Sequence, residues 1–83
     1  ISGFRIRLFF DNKQDSRVRS EELVNDFTEQ YPETPAYRTH TSPFFKVTVG
    51  DFRNMSDAMR FLKTIERSYP SAFIVRENIN PPR

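Results

Sequence analysis

The chain has 83 residues and a mass of 9.9 kDa, enough for one domain with one small core. Apolar residues make up 36% and charged residues 29%, which excludes a membrane-spanning chain and a charge-expanded disordered one. The net charge of +2 does not by itself mark a nucleic-acid binder, and with no Cys and one His there is no disulfide, no Cys-ligated metal and no His-rich zinc site. Ser–His–Asp chemistry would have to use His40 alone, so neither catalysis nor a cofactor is expected. No apolar run approaches the ~20 residues of a transmembrane helix. The chain begins at Ile1 and reads as an excised or processed domain, so targeting is not visible in it.

Phe4 to Phe10 opens the chain with Phe4, Ile6, Leu8 and Phe10 alternating with Arg5, Arg7 and Phe9, the period-two pattern of a half-buried strand. Asp11 to Asp15 is a polar turn. Ser16 to Gln30 is predicted helical, with Leu23, Val24, Phe27 and Tyr31 spaced by threes and fours until Pro32 stops it. Ala36 to Thr41 is a short polar strand, Ser42-Pro43 a tight connection, and Phe44 to Val49 a second clear strand ended by Gly50. Asn54 is placed to cap the next helix, with Asp57 three residues on. Ala58, Phe61, Leu62, Ile65 and Tyr69 trace one face of that helix, and Pro70 closes it. Ala72 to Arg76 is the last strand, and Asn80-Pro81-Pro82-Arg83 is a tail.

The order is strand–helix–strand twice over, and Tyr31-Pro32 and Tyr69-Pro70 close the two helices at an offset of 38 residues. Under that offset Leu23, Val24 and Phe27 fall on Phe61, Leu62 and Ile65. The expectation is an α+β, ferredoxin-like (RNP-like) βαββαβ fold: a four-stranded antiparallel sheet with both helices on one face and the other face open. Ile6, Phe27, Val47, Val49, Phe61, Leu62 and Ile65 are expected in the core, with Phe52 closing it beneath the second helix.

If the apolar set of each strand faces the helices, Arg5, Arg7 and Phe9 point out from the first strand and Phe44, Lys46 and Thr48 from the third. With Tyr37 inward, Arg38 and His40 point out from the second strand. With Phe73 and Val75 inward, Ile74 and Arg76 point out from the fourth. All eleven acidic residues lie outside these four stretches, so the open face is expected to be basic, partly aromatic and free of carboxylates. Rings among cations suit a ligand with flat faces and negative groups. Single-stranded nucleic acid and an acidic glycan both fit, and a protein-interaction surface is the third option. Binding of RNA on this topology calls for a Lys/Arg-Gly-aromatic-Gly/Ala-Phe-Val-x-aromatic run on the third strand. Phe44 to Gly50 lacks it, so nucleic acid is disfavoured.

Phe45-Lys46-Val47-Thr48-Val49-Gly50-Asp51-Phe52 followed by Ala58, Leu62 and Lys63 resembles the signature of the SPOR (sporulation-related repeat) domain. Tyr31-Pro32 leading to Ala36-Tyr37, the opening Gly3 to Phe9 and the closing Ala72 to Val75 resemble the same family. The resemblance spans about residues 3–79 of one domain over 1–83, with 80–83 as tail. It implies the fold derived above, no enzymatic activity, and binding of peptidoglycan glycan strands, especially strands stripped of stem peptides, on the open sheet face. It also implies a place in the bacterial periplasm or cell envelope and envelope or division proteins as possible partners; a monomer is expected. The candidate ligand residues are Arg5, Arg7, Phe9, Arg38, His40, Phe44, Lys46 and Thr48. Arg7 stands where the family usually presents Gln, and Phe9-Phe10-Asp11 where it often has a small Gly-Ser/Ala-Phe.

Two catalytic readings fail. Glu21 and Glu22 are adjacent on a helix and do not face each other, unlike a glycosidase pair. Acylphosphatases share this topology and bind phosphate in the loop after the first strand, but Asp11 to Asp15 carries two acids and no Gly.

Overall fold

The computed structural model describes residues 1–81; the last two residues of the expected tail, 82–83, lie outside them. The elements follow the expected order: β1 (Ser2–Asp11), α1 (Ser16–Gln30), β2 (Ala36–Thr41), β3 (Phe44–Phe52), α2 (Met55–Ile65) and β4 (Phe73–Asn78). The sheet runs β2-β3-β1-β4 with every neighbouring pair antiparallel. This is the ferredoxin-like arrangement, with β1 and β3 in the middle.

Ile6, Phe27, Val49 and Ile65 form the centre of the core, one residue from each of β1, α1, β3 and α2. Phe61, Leu62, Tyr31, Tyr69, Phe52 and Ile74 close around them. α2 ends at Ile65, short of the expected Tyr69-Pro70, and Tyr69 lies in the turn beyond it; the rings of Tyr31, at the end of α1, and Tyr69 both meet Phe27, at 5.1 and 6.0 Å. The internal repeat thus converges on one buried ring. Phe52 lies 5.7 Å from Phe61 beneath α2, as expected. Asn54 caps α2 by accepting the Asp57 N–H at 2.9 Å, which satisfies one of the amides that a helix start leaves open. The chain ends meet beside the sheet: the Ile79 N–H donates to the Ile1 carbonyl at 2.7 Å.

Two irregularities in the β1–β3 ladder decide which side chains face which way. On β3, Phe52 pairs with Phe4 and Val49 with Ile6, so β3 carries an extra residue opposite Arg5. Gly50 takes this bulge with φ of 83°, a conformation in which a side chain is strained, and a Cβ there would run into the Phe52 ring. On β1, Arg7 pairs with Thr48 and Phe9 with Val47, so the extra residue is Leu8. A bulge shifts the alternation by one, and every β1 side chain beyond it changes face.

Candidate functional site

Phe9 is therefore not on the open face. It lies across the ladder from the buried Val47, on the helix side, with the Arg19 guanidinium 5.3 Å above its ring. Its neighbour Phe10 takes the outward place opposite Lys46. There it stacks on Phe44 with centroids 4.6 Å apart and the rings 7° from parallel.

The faces of β2 are also the reverse of those expected. Thr41 pairs with Phe44, so His40 falls opposite Phe45 and Arg38 opposite Val47, both buried on the helix side. His40 stacks on Phe45 at 4.1 Å. Arg38 runs over Phe45 and donates its Nε–H to the Ser20 hydroxyl at 2.8 Å, with Glu21 at 3.3 Å. Tyr37 takes the open face instead. On β4, Ile74 packs on the core and Arg76 lies over Phe4, whereas Phe73 sits outward beneath Arg7. The expectation of Ile74 and Arg76 outward is overturned by the register, because Ile74 pairs with the buried Ile6 and Phe73 with Arg7.

Of the expected site residues, the open face keeps Arg5, Arg7, Phe44, Lys46 and Thr48 and loses Phe9, Arg38 and His40. Thr48 is 1% exposed, flanked in the ladders by Arg7 and Tyr37, and is out of a ligand's reach. The face is also not free of acids. The strands extend further than expected and bring Asp51 on β3 and Glu77 on β4 into it.

These acids divide the face into two halves. In one, Arg5 donates from Nε and Nη2 to Asp51 at 3.1 and 2.9 Å and from Nη1 to Glu77 at 3.4 Å, and its guanidinium lies 3.9 Å over the Tyr37 ring. Tyr37 donates its hydroxyl to the other Asp51 oxygen and accepts the Asn80 side-chain amide at 2.8 Å. Burial of the Tyr37 phenol, reinforced by the Asp51 carboxylate, raises its pKa. Nearly every polar group here already has a protein partner. A cavity of about 880 Å³ lies beside this half, but Glu33 and Asp51 line it and, among the described residues, no cation does.

The other half is Arg7, Phe10, Thr41, Phe44, Lys46 and Phe73. A cleft of about 230 Å³ is lined by Arg7, Phe10, Thr41, Phe44 and Lys46. A second, of about 300 Å³, runs from Arg7 and Phe10 past the Leu8 bulge and the edge of Phe9 to Ser71 and Phe73. Arg7 and Phe10 are common to both. The Arg7 guanidinium lies 4.9 Å from the Phe10 ring and 5.4 Å from the Phe73 ring, and its Nε–H is covered with no acceptor. Lys46 leans towards Glu77 at 3.2 Å. Phe10 and Phe73 are 52% and 48% exposed, unusual for rings unless something else covers them.

This is a shallow groove of exposed rings around a cation on an open antiparallel sheet, an arrangement suited to binding rather than to catalysis. The chain belongs to the SPOR domain family, whose model matches residues 10–76. SPOR domains are peptidoglycan-binding modules of cell-envelope and division proteins. No curated protein and no solved structure matches the chain. The matched span opens at Phe10, so the roles of Arg5 and Arg7 rest on the geometry described above. No helix among the described residues is long and apolar enough to cross a membrane.

Proposed function

We propose that residues 3–79 form a single non-catalytic module that binds a peptidoglycan glycan strand along the half of the open sheet built from Arg7, Phe10, Phe44, Lys46 and Phe73. The observation that carries the reading is the setting of Arg7: a cation resting against two exposed rings, at the junction of two clefts, with no carboxylate partner among the described residues. Sugar rings present C–H faces that pack on Phe10, Phe44 and Phe73. Hydroxyl and N-acetyl groups accept from Arg7 and from Lys46. Two clefts that share Arg7 and Phe10 suit a polymer rather than a single sugar. His40, the one imidazole, is stacked on Phe45 across the sheet from this groove, which supports a role without general-base chemistry. Glu21 is turned to Arg38 and away from any sugar. The module's place is the bacterial periplasm or envelope, where division and envelope proteins are its expected neighbours.

Co-sedimentation with purified sacculi tests this, using intact sacculi and sacculi stripped of stem peptides by an amidase. Pelleting that rises after stripping, and that is lost in Arg7→Glu, is the expected result. No pelleting with either preparation at low salt and micromolar protein would sink the proposal.

A further inference from the structure

We infer that the free edge of β2 is a second interaction surface, separate from the groove, and that it takes an extended acidic peptide segment of a partner protein as a fifth strand. Arg38 and His40, which the register turns away from the groove, stand two residues apart on this edge strand. With Arg17 of α1 they gather at the Phe45 ring. The Arg38 and Arg17 guanidinium carbons lie 5.0 and 5.2 Å from its centre, and the His40 imidazole is stacked on it at 4.1 Å. Among the described residues one acid meets this group: Glu21, itself 54% exposed, reaches Arg38 at 3.3 Å. Arg17 has no acidic partner among the described residues. The chain has no acidic residue from Thr34 to Gly50. Arg17 also sits where it works against its own helix. The first turn of α1 holds Arg17 and Arg19 and no acid, the reverse of what a helix dipole favours. A local arrangement that costs folding stability marks a surface kept for another task.

The backbone decides which kind of anion fits. β2 is six residues at the border of the sheet, and alternate residues of such a strand turn N–H and C=O groups outward. Among the described residues, no loop or side chain bonds to the main chain of Ala36–Thr41 outside the β3 ladder. Thr39, His40 and Thr41 are exposed. A phosphate polymer answers the cations but offers no alternating donors and acceptors at strand spacing. A peptide offers both. Its alternate side chains recur about every 6.6–6.8 Å on one face, so Asp or Glu at every second position falls beside Arg38 and His40. A second copy of this chain is a poor occupant. Its β2 would set Arg38 and His40 against themselves, and its β4 would bring Arg76, which lies over Phe4, to the same face. Like charges across an edge repel, so this edge excludes its own copies and selects an acidic strand.

An NMR titration of the isotope-labelled domain tests the inference, with a synthetic peptide of about eight residues in which Glu alternates with Val and Thr. Amide shifts should fall on β2 and the start of α1 and spare Arg7 and Phe73, and the outward amides of β2 should exchange with solvent more slowly. Arg17→Glu should weaken the peptide by about three- to ten-fold, the scale of one or two exposed charge pairs, and His40→Gln by about two-fold. Methylating alternate backbone nitrogens of the peptide removes the ladder and keeps the charge; it should weaken binding by at least about ten-fold. A peptide with Lys in place of Glu should give no shifts. Arg7→Glu should bind the peptide as the wild type does, and Arg17→Glu should pellet with stripped sacculi as the wild type does, which separates this edge from the groove. Equal binding of the plain and methylated peptides would overturn the inference. So would the absence of shifts with the acidic peptide, including the case in which inorganic phosphate or anionic vesicles move the same amides instead.

Discussion

Replacing Phe9 and Phe10 with Ala, one at a time, asks which of two adjacent phenylalanines the Leu8 bulge turns to the ligand. Fully burying a Phe side chain stabilises by roughly 1.5–3 kcal/mol. Phe10 is 52% exposed, so the burial lost is worth about 1 kcal/mol, and its stacking on Phe44 adds up to about 1 kcal/mol. Phe9 is more covered and should cost about 1–3 kcal/mol. An 83-residue domain is stable by about 4–12 kcal/mol, so both variants should remain folded. Binding separates them. Phe10→Ala removes a wall of both clefts and one of the two rings that hold Arg7, and should weaken binding to stripped sacculi by about ten- to thirty-fold, or ~1.4–2 kcal/mol. Phe9 borders only the second cleft and does not touch the Arg7 guanidinium, so Phe9→Ala should weaken binding by no more than about three-fold, well under the ~1.4 kcal/mol of a tenfold change. Urea melts followed by circular dichroism give the stabilities, and co-sedimentation gives the affinities. Equal losses of binding, or a loss confined to Phe9→Ala in a folded domain, would refute the face assignment and the bulge on which it rests.

Asp51→Ala should destabilise by about 3 kcal/mol in urea melts, because it leaves the mostly buried Arg5 guanidinium and the Tyr37 hydroxyl without their main acceptor. A value near zero would mean that the network is ornamental. Tyr37 gives a pH signature. Its folded-state pKa is raised, so its contribution is fully present below the unfolded value of about 10 and is lost as pH rises through the higher folded value. Melts at increasing alkaline pH should fall more steeply for wild type than for Tyr37→Phe; identical slopes would contradict the cause given. Gly50→Ala should cost at least about 1–2 kcal/mol from the positive φ alone, with the Phe52 ring forced to shift as well, and a neutral effect on thermal midpoint would refute the bulge geometry. Phe27→Ala should cost about 3–5 kcal/mol, a large share of the total, and one-dimensional NMR should show poorly dispersed methyl and amide signals.

Element order, both helices and the core residues were legible because each rests on a period read over many positions. Ser16 to Gln30 is predicted and found as one helix, and Ile6, Phe27, Val49 and Ile65 meet as expected. The faces were harder to read, because parity along a strand depends on single residues. On β1, Leu8-Phe9-Phe10 is three apolar residues in a row, which breaks the alternation; that break was the available sign of a bulge. On β2 the apolar pattern is too weak to set a face, since Tyr37 is amphipathic. Pairing would have settled it: a two-residue turn at Ser42-Pro43 puts Thr41 opposite Phe44, hence His40 opposite the inward Phe45. On β4, Ala72 to Val75 is apolar throughout, and only pairing with Ile6 and Arg7 orders it. The acids Asp51 and Glu77 were missed for a different reason. Strand ends are set by ladder hydrogen bonds: β3 runs on through the Gly50 bulge to Phe52, and β4 runs on past Val75 to Asn78.

The meeting of the chain ends has a mechanical meaning. Ser2 pairs with Asn78, and the groove lies at the opposite pole, around Phe10 and Phe44. A force drawing Ile1 and Asn80 apart would act across the β1–β4 ladder at its end and open it one pair at a time, like a zipper, rather than loading all the pairs together. Peeling would part Ser2 from Asn78 first, then Gly3 from Glu77, and Arg7 from Phe73 last. Early opening at Glu77 would free Lys46 and one arm of Arg5 while Arg7 stayed seated between its rings. A domain stretched by its ends would thus grow more positive beside its groove before losing it, so modest tension should tighten rather than loosen its hold on an acidic strand.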